Sequence, residues 1–308
     1  MEILRALPDP PMVERTAVAL GNFDGVHRGH QVLISRTVTL AREMQGQSVV
    51  LTFDPHPMHL LKPQEPVKLI LTGRRKSRKI AELGTDVLVL LPFTRELASM
   101  GPDEFGTMIF EALKPAVIVV GFNYTYGYRG QGTPATLAAL GRQLGFRVEV
   151  VPPQTEDGEL ISSTGIRQAL MEGKVEKARR FLGYWPLLEG IVQPGDGRGK
   201  TLGFPTANVV VDGQVLLPRA GVYAAEVRVE GRSFLAVVNI GRRPTFKDDE
   251  ALLVEAHLVD FSGNLYGREL EVHLLKYLRS EKKFADVGAL KEQIAQDIRA
   301  AQQVARSL

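Results

Sequence analysis

In the first half of the chain, short apolar runs alternate with longer amphipathic stretches. The apolar runs are rich in Val, Ile and Leu on successive residues, a pattern typical of strands that are buried on both faces. They are Thr16–Leu20, Ser48–Phe53, Asp86–Phe93, Ala116–Gly121 and Arg147–Pro152. The stretches between them predict helices over about His30–Gln45, Arg74–Leu83, Pro102–Leu113 and Pro134–Leu144. This alternation predicts an α/β fold, a Rossmann-like domain with a parallel doubly wound sheet.

The second half of the chain has a different pattern. Two further helical stretches end near Gly183, and from Leu188 the sequence consists of shorter alternating segments interrupted by Gly and Pro. The clearest of these segments are Gly221–Glu230, Ser233–Ile240, Leu252–Phe261 and Glu269–Leu275. They predict an antiparallel β-barrel. Apolar residues at helical spacing within Ala289–Leu308 predict a terminal helix that packs on the barrel.

Length and composition allow two domains of ordinary size, each with a core of its own. We place the boundary where the pattern changes, with one domain at residues 1–182 and the other at 183–308. The 44% of hydrophobic and 24% of charged residues are typical of soluble globular proteins. Cysteine is absent, which excludes disulfides, thiolate nucleophiles and cysteine-ligated metals.

Charge and the N-terminus limit the expected partners. The formal net charge of +3 is too small to indicate a nucleic-acid-binding surface. Met1–Pro11 lacks the apolar segment of a signal peptide, and no run approaches the roughly 18 apolar residues of a membrane span. We therefore expect a cytoplasmic protein that binds small molecules and neither nucleic acid nor membrane. The sequence leaves open a weak homo-oligomer.

A glycine-rich segment with two histidines, Gly21–His30, follows the first predicted strand and opens a helix. In a doubly wound sheet, ligands bind beyond the carboxyl ends of the strands, which is the position of this segment. His27 and His30 are three residues apart, so both rings can lie on one face beside the unpaired amides of the helix start. Gly25 and Gly29 let phosphate oxygens approach the main chain. The segment predicts a triphosphate site that stabilises leaving pyrophosphate, although two structural histidines in a turn would share this spacing.

A second candidate phosphate element follows the last predicted strand of the first half. Ser162, Ser163 and Thr164 place hydroxyls at the start of a helix, and Arg167 follows on its first turn. Such a combination binds phosphate. By itself, a run of hydroxyl residues is more often an ordinary N-cap.

The second half carries phosphate-handling residues of another kind. Gly195–Lys200 combines three glycines with an arginine and a lysine, which suits a loop wrapped around phosphates, but its spacing is not that of a P-loop. Thr206 and Asn208 are two positions apart, so in an extended segment both side chains point to one face. Their neutral oxygens, with waters and ATP phosphates, would suit Mg²⁺. Taken alone, the same residues would also fit an unremarkable turn.

Together, the His-x-Gly-His and Ser-Ser-Thr-x-x-Arg elements resemble the nucleotidylyltransferase superfamily. Over Ala17–Phe284 the chain resembles the bacterial bifunctional riboflavin kinase/FMN adenylyltransferase family, also called FAD synthetase; two further motifs of the first half, at 53–57 and 121–127, support this. The resemblance implies a catalytic role for His27 and His30. It implies ATP contacts in the adenylyltransferase site for Gly21, Asn22, Phe23, His27, Gly29, His30, Asn123, Ser162, Ser163, Thr164 and Arg167. It places Phe53, Pro55 and His56 beside the flavin.

The family commonly has Asp where this chain has Asn123. An amide can hydrogen-bond a nucleotide or flavin phosphate, but it cannot serve as a carboxylate ligand for a metal. Mg²⁺ ligation in the first half is therefore left open.

The second half resembles riboflavin kinases through motifs in the same order, Gly199–Asn208, Val238–Gly241, Pro244–Phe246, Val254–His257 and Leu278–Phe284. The resemblance implies ATP contacts for Gly197, Gly199, Lys200, Thr201, Thr206 and Asn208. It implies that Thr206 and Asn208 hold Mg²⁺, and that Glu255 is the general base for the ribityl 5′-hydroxyl. Arg279 and Glu281 are placed near the flavin. Without the resemblance, a lone Glu on an alternating strand would be interpreted as facing solvent.

Two other clusters have structural interpretations. Asp54, His56 and His59 could suggest a metal site, but the intervening prolines favour a stiff loop without a metal. The basic run Arg74–Lys79 could attract nucleic acid. Because apolar residues supply the other side of the same helix, we expect a solvated face instead.

The resemblance implies an enzyme with two ATP-using sites. The barrel would phosphorylate riboflavin to FMN, the α/β domain would adenylylate FMN to FAD with release of pyrophosphate, and Mg²⁺ would assist. One alternative is a single-activity adenylyltransferase whose barrel only binds flavin. The other is a flavin- or RNA-binding regulator.

Overall fold

The computed structural model describes residues 1–13, 15–195, 199, 202–242 and 252–308. The chain divides into two compact units, Met1–Ser162 and Ser163–Leu308. None of the helices within the described ranges is both long and apolar enough to cross a membrane.

The first unit is built on a six-stranded parallel sheet. Its strands are β1 (Glu2–Leu4), β2 (Thr16–Leu20), β3 (Gln47–Phe53), β4 (Val87–Leu91), β5 (Pro115–Gly121) and β6 (Arg147–Val151). Its helices are α1 (Arg28–Glu43), α2 (Pro57–Leu61), α3 (Gly73–Ala81), α4 (Arg95–Ser99), α5 (Pro102–Leu113) and α6 (Pro134–Leu144). A hairpin of β7 (Thr155–Glu156) and β8 (Glu159–Leu160) follows. The predicted α/β fold is confirmed.

Local signals explain why α5 and α6 have the predicted bounds. Each begins with a proline at its first position, where the missing N–H would have no partner in the helix. The hydroxyl of Thr133 accepts from the amide of Thr136, and Gly145 ends α6 in the left-handed conformation. The strands β2 and β4 are buried at every residue, as their unbroken apolar runs predict.

The order of the strands determines where the loops meet. The sheet has the order β1-β4-β3-β2-β5-β6, so the chain moves to one side of β2 through β3 and β4 and then crosses to β5 on the other side. This reversal makes the carboxyl ends of β2 and β5 a topological switch point, the usual ligand site of such sheets. The segments that follow β2, β3 and β5 therefore leave the sheet at the same edge.

The second unit is a closed six-stranded antiparallel barrel with helices before and after it. The leading helices are α7 (Ser163–Met171) and α8 (Val175–Leu182). The barrel strands are β9 (Leu187–Gln193), β10 (Ala207–Val211), β11 (Gly221–Val229), β12 (Arg232–Arg242), β13 (Leu252–Leu258) and β14 (Glu269–Arg279). The chain ends with α9 (Val287–Arg306). The predicted barrel with a terminal helix is confirmed.

The final helix α9 covers part of the outer barrel wall. It packs against β11, β12 and β14, where Ala301 joins a buried apolar cluster with Val237. On β12, Val237 and Asn239 point to one face, whereas Ala236, Val238 and other fully buried residues point to the other. Val237 and Asn239 therefore lie on the outer face of the barrel, which α9 shares.

Helices α7 and α8 belong structurally to the barrel unit, although we predicted a boundary at residue 183. The amide of Arg219 donates to the carbonyl of Leu170 at 3.0 Å, and α8 packs against β14. The guanidinium of Arg179 lies 4.1 Å from the ring centroid of Trp185. The functional boundary at 183 stays a prediction.

The first prediction concerns this boundary. A fragment beginning at Ser163 is expected to have a higher free energy of unfolding than one beginning at Gly183, by at least about 2 kcal/mol, because the shorter fragment uncovers apolar surface under α8. Urea titration followed by tryptophan fluorescence measures the difference, since Trp185 is the chain's single tryptophan and is present in both fragments. Equal midpoints would show that α7 and α8 contribute nothing to the barrel.

Candidate active sites

The segment Gly21–His30, which we call the histidine loop, runs from the end of β2 into the first turn of α1 at the switch point of the parallel sheet. Phe23, Gly25 and Val26 have positive φ angles of 48°, 81° and 38°. A positive φ is unusual for Phe and strained for the β-branched Val, so the surroundings must hold this conformation. One such restraint is the buried carboxylate of Asp24, which accepts from the amide of Ile70 at 3.0 Å. Contacts with distant parts of the first unit therefore hold the loop in this conformation.

The two histidines of this loop stack on each other. Their ring centroids are 3.5 Å apart with an interplanar angle of 17°. Nδ1 of His27 accepts from the backbone amide of His30 at 3.3 Å and so caps α1. The neutral ring of His27 must then carry its proton on Nε2, which makes Nε2 a donor. A Cβ at Gly29 would come within 3.2 Å of the His27 ring, so glycine at this position lets the ring pack on the helix start.

Burial keeps both imidazoles neutral. Burial lowers the pKa of His27 to about 4. Burial also lowers the pKa of His30 well below its usual value, and the nearby His27 and Lys76 lower it further. Nδ1 of His30 is buried without a hydrogen-bond partner among the described residues. A polar atom of a ligand would satisfy it.

Other predicted ATP contacts have different surroundings. Phe23 is fully buried and its ring meets the His30 ring edge-on, with centroids 5.3 Å apart. Asn123 is exposed just beyond the carboxyl end of β5, the strand next to β2. Ser162 ends the first unit, whereas the second unit begins with α7 and contains Ser163, Thr164 and Arg167. The roles of these residues toward ATP stay predictions.

The segment after β3 contains no metal cluster. Nδ1 of His56 accepts from the amide of Met58 at 3.2 Å and caps α2. Nε2 of His59 donates to the carbonyl of Val67 at 2.8 Å. Across the described part of the chain, no group of three or more metal-binding side chains is found. Phe53, Pro55 and His56 lie at the loop edge of the sheet, as predicted for the flavin contacts, which remain untested.

The basic run Arg74–Lys79 corrects one prediction. The structure buries Arg75, Lys76 and Ser77, with exposures of 7%, 9% and 8%, so the expected solvated face is wrong for these residues. They lie on α3, whose start follows Thr72 as N-cap. Lys76 reaches the ends of β2 and β3, next to the histidine loop. The charge pattern of the sequence does not reveal this burial, because the partners of Lys76 lie at the ends of strands that are distant from α3 in sequence.

In the barrel, the strand register brings the predicted kinase residues together. Asn208 on β10 lies opposite Glu255 on β13, and Glu255 lies opposite Asn239 on β12. The three side chains form one row across the outer face, because register partners project on the same side of a sheet. Oδ1 of Asn239 is buried without a hydrogen-bond partner among the described residues. Asn239 lies in the motif Val238–Gly241, from which no role for this residue was predicted.

Two glycines of the loop before β10 contact the proposed metal residues. A Cβ at Gly195 would overlap the side-chain amide of Asn208. A Cβ at Gly199 would lie 3.0 Å from the hydroxyl oxygen of Thr206. Gly195 and Gly199 themselves therefore lie directly against the residue pair. Among the other predicted ATP contacts, Gly197, Lys200 and Thr201 lie outside the described residues, as does the motif Pro244–Phe246.

His257 fixes the approach to Thr206. Its Nδ1 lies 2.9 Å from the carbonyl oxygen of Pro205, and since that oxygen can only accept, Nδ1 carries the proton. Phe204 packs edge-on against the same imidazole with centroids 5.6 Å apart. His257 is two residues beyond Glu255 on β13 and so projects from the same face. The sequence motif contained this histidine, but only the tertiary contact reveals its role.

The two residues predicted beside the flavin differ in their contacts. The guanidinium of Arg279 donates to Asp297 of α9 at 2.8 Å and to the carbonyl of Ser280 at 3.0 Å. Glu281 accepts from the side-chain amide of Asn239 at 3.4 Å, and a Cβ at Gly241 would overlap its carboxylate. Glu281 therefore extends the row of Asn208, Glu255 and Asn239. Arg279 connects the barrel to α9, and its contact with flavin stays a prediction.

Comparison with known proteins identifies both halves. The FAD synthetase family model matches residues 9–165, and the riboflavin kinase model matches residues 182–305. A bifunctional riboflavin kinase/FMN adenylyltransferase of Listeria monocytogenes is 41% identical, over 91% of this chain and 89% of that relative. The enzyme of the same name from Bacillus subtilis is 40% identical, over 92% of this chain and 90% of the relative.

A solved structure has the same fold over almost the whole chain. The crystal structure of a macrolide-efflux protein from Streptococcus pneumoniae aligns with a TM-score of 0.90 and 32% identity, covering 98% of this chain and 99% of that one. Its name refers to drug efflux, whereas both family matches of this chain are enzymatic. With an FAD synthetase domain first and a riboflavin kinase domain second, the chain belongs to the bifunctional riboflavin kinase/FMN adenylyltransferase family.

Proposed function

We propose that the barrel transfers the γ-phosphoryl group of ATP to riboflavin, and that the parallel-sheet unit transfers the adenylyl group of ATP to the resulting FMN. Family membership supports both activities. The observation that carries the assignment of residues is the register of the barrel, which sets Asn208 and Glu255 opposite each other although they are far apart in sequence. A base and an ATP-binding amide on one face are what phosphoryl transfer to a hydroxyl requires.

In the first unit, a phosphate oxygen of FMN attacks the α-phosphorus of ATP, and the bond to the β-phosphate breaks to release pyrophosphate. Negative charge grows on the leaving group, so donors aimed at that position lower the barrier. With its proton on Nε2, His27 would be such a donor, and the amides of the first turn of α1, that of Gly29 among them, have no partner within the helix. The neutral imidazole of His27 can donate one hydrogen bond from Nε2 while Nδ1 caps the helix.

In the barrel, Glu255 would accept the proton of the ribityl 5′-hydroxyl as its oxygen attacks the γ-phosphorus and ADP leaves. Asn239 lies opposite Glu255 and donates a hydrogen bond to the carboxylate of Glu281. It would therefore help to orient the carboxylate groups of this site. His257 holds the Pro205 carbonyl and with it the position of Thr206. Each of these residues acts from the outer face of the barrel.

The residues present fit Mg²⁺ in the barrel site. Thr206 supplies a hydroxyl oxygen and Asn208 an amide oxygen, and both are hard neutral ligands of the kind this ion accepts. Gly195 and Gly199 lie directly against these side chains, since a Cβ at Gly195 would overlap the Asn208 amide and one at Gly199 would lie 3.0 Å from the Thr206 hydroxyl oxygen. When bound, Mg²⁺ would neutralise charge on the ATP phosphates.

The second prediction concerns the histidine pair. His27→Ala or His30→Ala should lower the rate of FAD formation from supplied FMN by about 10²-fold, the scale of losing one transition-state donor. FMN formation from riboflavin should continue in the same molecule. Chromatographic separation of FMN and FAD measures both. His59→Gln is the control, because it changes a histidine of the same unit whose ring hydrogen-bonds to the carbonyl of Val67; equal loss of both activities would refute the assignment.

The third prediction concerns Glu255. Glu255→Gln keeps the size of the side chain and removes its basicity, so riboflavin phosphorylation should fall by about 10²- to 10⁴-fold. Adenylylation of supplied FMN should be unchanged. The matched control is Glu226→Gln, which alters a carboxylate of the same barrel that pairs with Arg228. A variant that binds flavin tightly and phosphorylates it at the normal rate would remove Glu255 as the base.

The fourth prediction concerns the metal. Asn208→Ala or Thr206→Val should raise the Mg²⁺ concentration needed for half-maximal kinase activity by about 10-fold or more, because a ligand or its orienting partner is lost. A Mg²⁺ titration at saturating ATP measures this shift. Asn264→Ala, an amide that accepts from the Tyr266 backbone, is the control. Superimposable titration curves would exclude both residues from the metal site.

A further inference from the structure

Lys76 differs from the other lysine of its helix. It lies on α3 with only 9% of its surface exposed, whereas Lys79, one turn further along, pairs with Glu82 at 2.7 Å near the surface. A lysine is rarely buried unless its ammonium group has a specific set of partners. The surroundings of Lys76 therefore indicate a role for that group.

The ammonium group of Lys76 has three acceptors, one for each of its N–H bonds. These are the carbonyl oxygen of Asn22 at 3.4 Å, the hydroxyl oxygen of Thr52 at 3.2 Å and the carbonyl oxygen of Phe53 at 3.3 Å. Thr52 also donates its hydroxyl to the Asn22 carbonyl at 3.0 Å. Two donors thus converge on one backbone oxygen of the histidine loop.

These contacts join two neighbouring strands at the edge where the ligand site lies. Thr52 and Phe53 end β3, and Asn22 follows the end of β2. Beyond the last ladder hydrogen bond, backbone carbonyls need other donors when they are buried. Lys76 supplies donors to the carbonyls of Asn22 and Phe53 from α3, an element separate from both strands. It therefore helps to hold the start of the loop that follows β2.

The same ammonium group acts on the histidine pair through space. Its charge helps to lower the pKa of His30, together with burial and with His27. Burial lowers the pKa of Lys76 itself, while the charges of Asp24 and Asp54 oppose this change. The electrostatic link agrees with the hydrogen bonds in placing Lys76 directly behind the histidine loop.

We propose that Lys76 is a positioning residue for adenylyl transfer: by holding the Asn22 carbonyl against the ends of β2 and β3, it sets the loop that carries His27 and His30. The inference rests on the proposed role of the first unit. It adds a residue outside every motif that the sequence analysis used for this site. A displacement of about 1 Å of catalytic groups costs on the order of 10²-fold in rate.

The experiment compares Lys76→Met with Lys79→Met in the full chain. Lys76→Met should lower kcat for FAD formation from FMN by about 10²-fold and leave KM for ATP nearly unchanged, because the loop would be misplaced in the transition state while ATP still binds. Lys79→Met should leave kcat at its original value. Riboflavin phosphorylation by the barrel serves as the internal measure of enzyme concentration in both variants, and an unchanged KM for ATP shows that the first unit is folded.

A chemical rescue separates the ammonium group from the space it fills. The chain contains no cysteine, so Lys76→Cys carries a single thiol. Alkylation of this thiol with 2-bromoethylamine in denaturant, with loss of bromide, builds a side chain nearly identical to lysine, and the protein is then refolded. Wild-type protein taken through the same steps is the reference. Restored FAD formation supports the proposal.

The remaining outcomes are distinguishable. If wild-type protein makes no FAD from FMN and ATP, the proposed function fails, whatever Lys76 does. If wild-type protein is active and Lys76→Met matches Lys79→Met, or if aminoethylation restores nothing, the role of Lys76 is overturned. Should the methionine variant not fold, Lys76→Gln replaces it: its amide can donate to at most two of the three oxygens, so kcat for FAD formation should fall below that of Lys79→Met, and an equal kcat would overturn the role.

Discussion

The proposed adenylyltransferase site depends on hydrogen bonds to buried backbone carbonyl groups at the carboxyl ends of the parallel strands. Inside the sheet, the ladder pairs every backbone group, but this pairing stops at the carboxyl edge, and an unpaired buried carbonyl is costly. Here the Lys76 ammonium and the Thr52 hydroxyl both donate to the Asn22 carbonyl. The loop that begins at this point contains residues with positive φ angles, so it keeps its shape only while such anchors hold it.

The barrel builds its site in another way. Asn208, Glu255 and Asn239 belong to three neighbouring strands, and the antiparallel register aligns them across the outer face. Gly195 lies directly against the side chain of Asn208, where a Cβ would overlap it. One unit therefore places its chemistry on a loop at the strand ends, and the other places it on the rigid strands themselves.

Charge is handled differently in the two sites as well. Burial lowers the pKa of His27 to about 4 and also lowers the pKa of His30, which favours the neutral form of both imidazoles. In the barrel unit, Arg279 pairs with the buried Asp297, which fastens the terminal helix to β14. A buried charge pair of this kind is costly to break, because removing one partner leaves the other uncompensated. The ion pair between α9 and β14 therefore helps to stabilise the outer face of the barrel, on which the proposed kinase residues lie.

The sequence by itself determined the features that depend on interactions between residues close together in the chain. The bounds of α5 and α6 follow from prolines and caps next to them, and the unbroken apolar runs of β2 and β4 follow from burial on both faces. The motifs also identified most candidate site residues, and their family resemblance was confirmed by the two domain matches. The three-residue strand β1 escaped prediction because so short a segment carries no periodicity.

Only the tertiary structure decided which of these residues meet. The basic run on α3 has the local pattern of a solvated face, yet Lys76 is buried because its partners come from β2 and β3. Likewise, the proposed roles of Asn239 and His257 depend on neighbours that the register of the barrel and a contact with Pro205 bring to them. Local patterns extend over one or two turns of chain, whereas strand order and register bring together residues that are distant in sequence. The contacts that position the chemistry in both units are of this second kind.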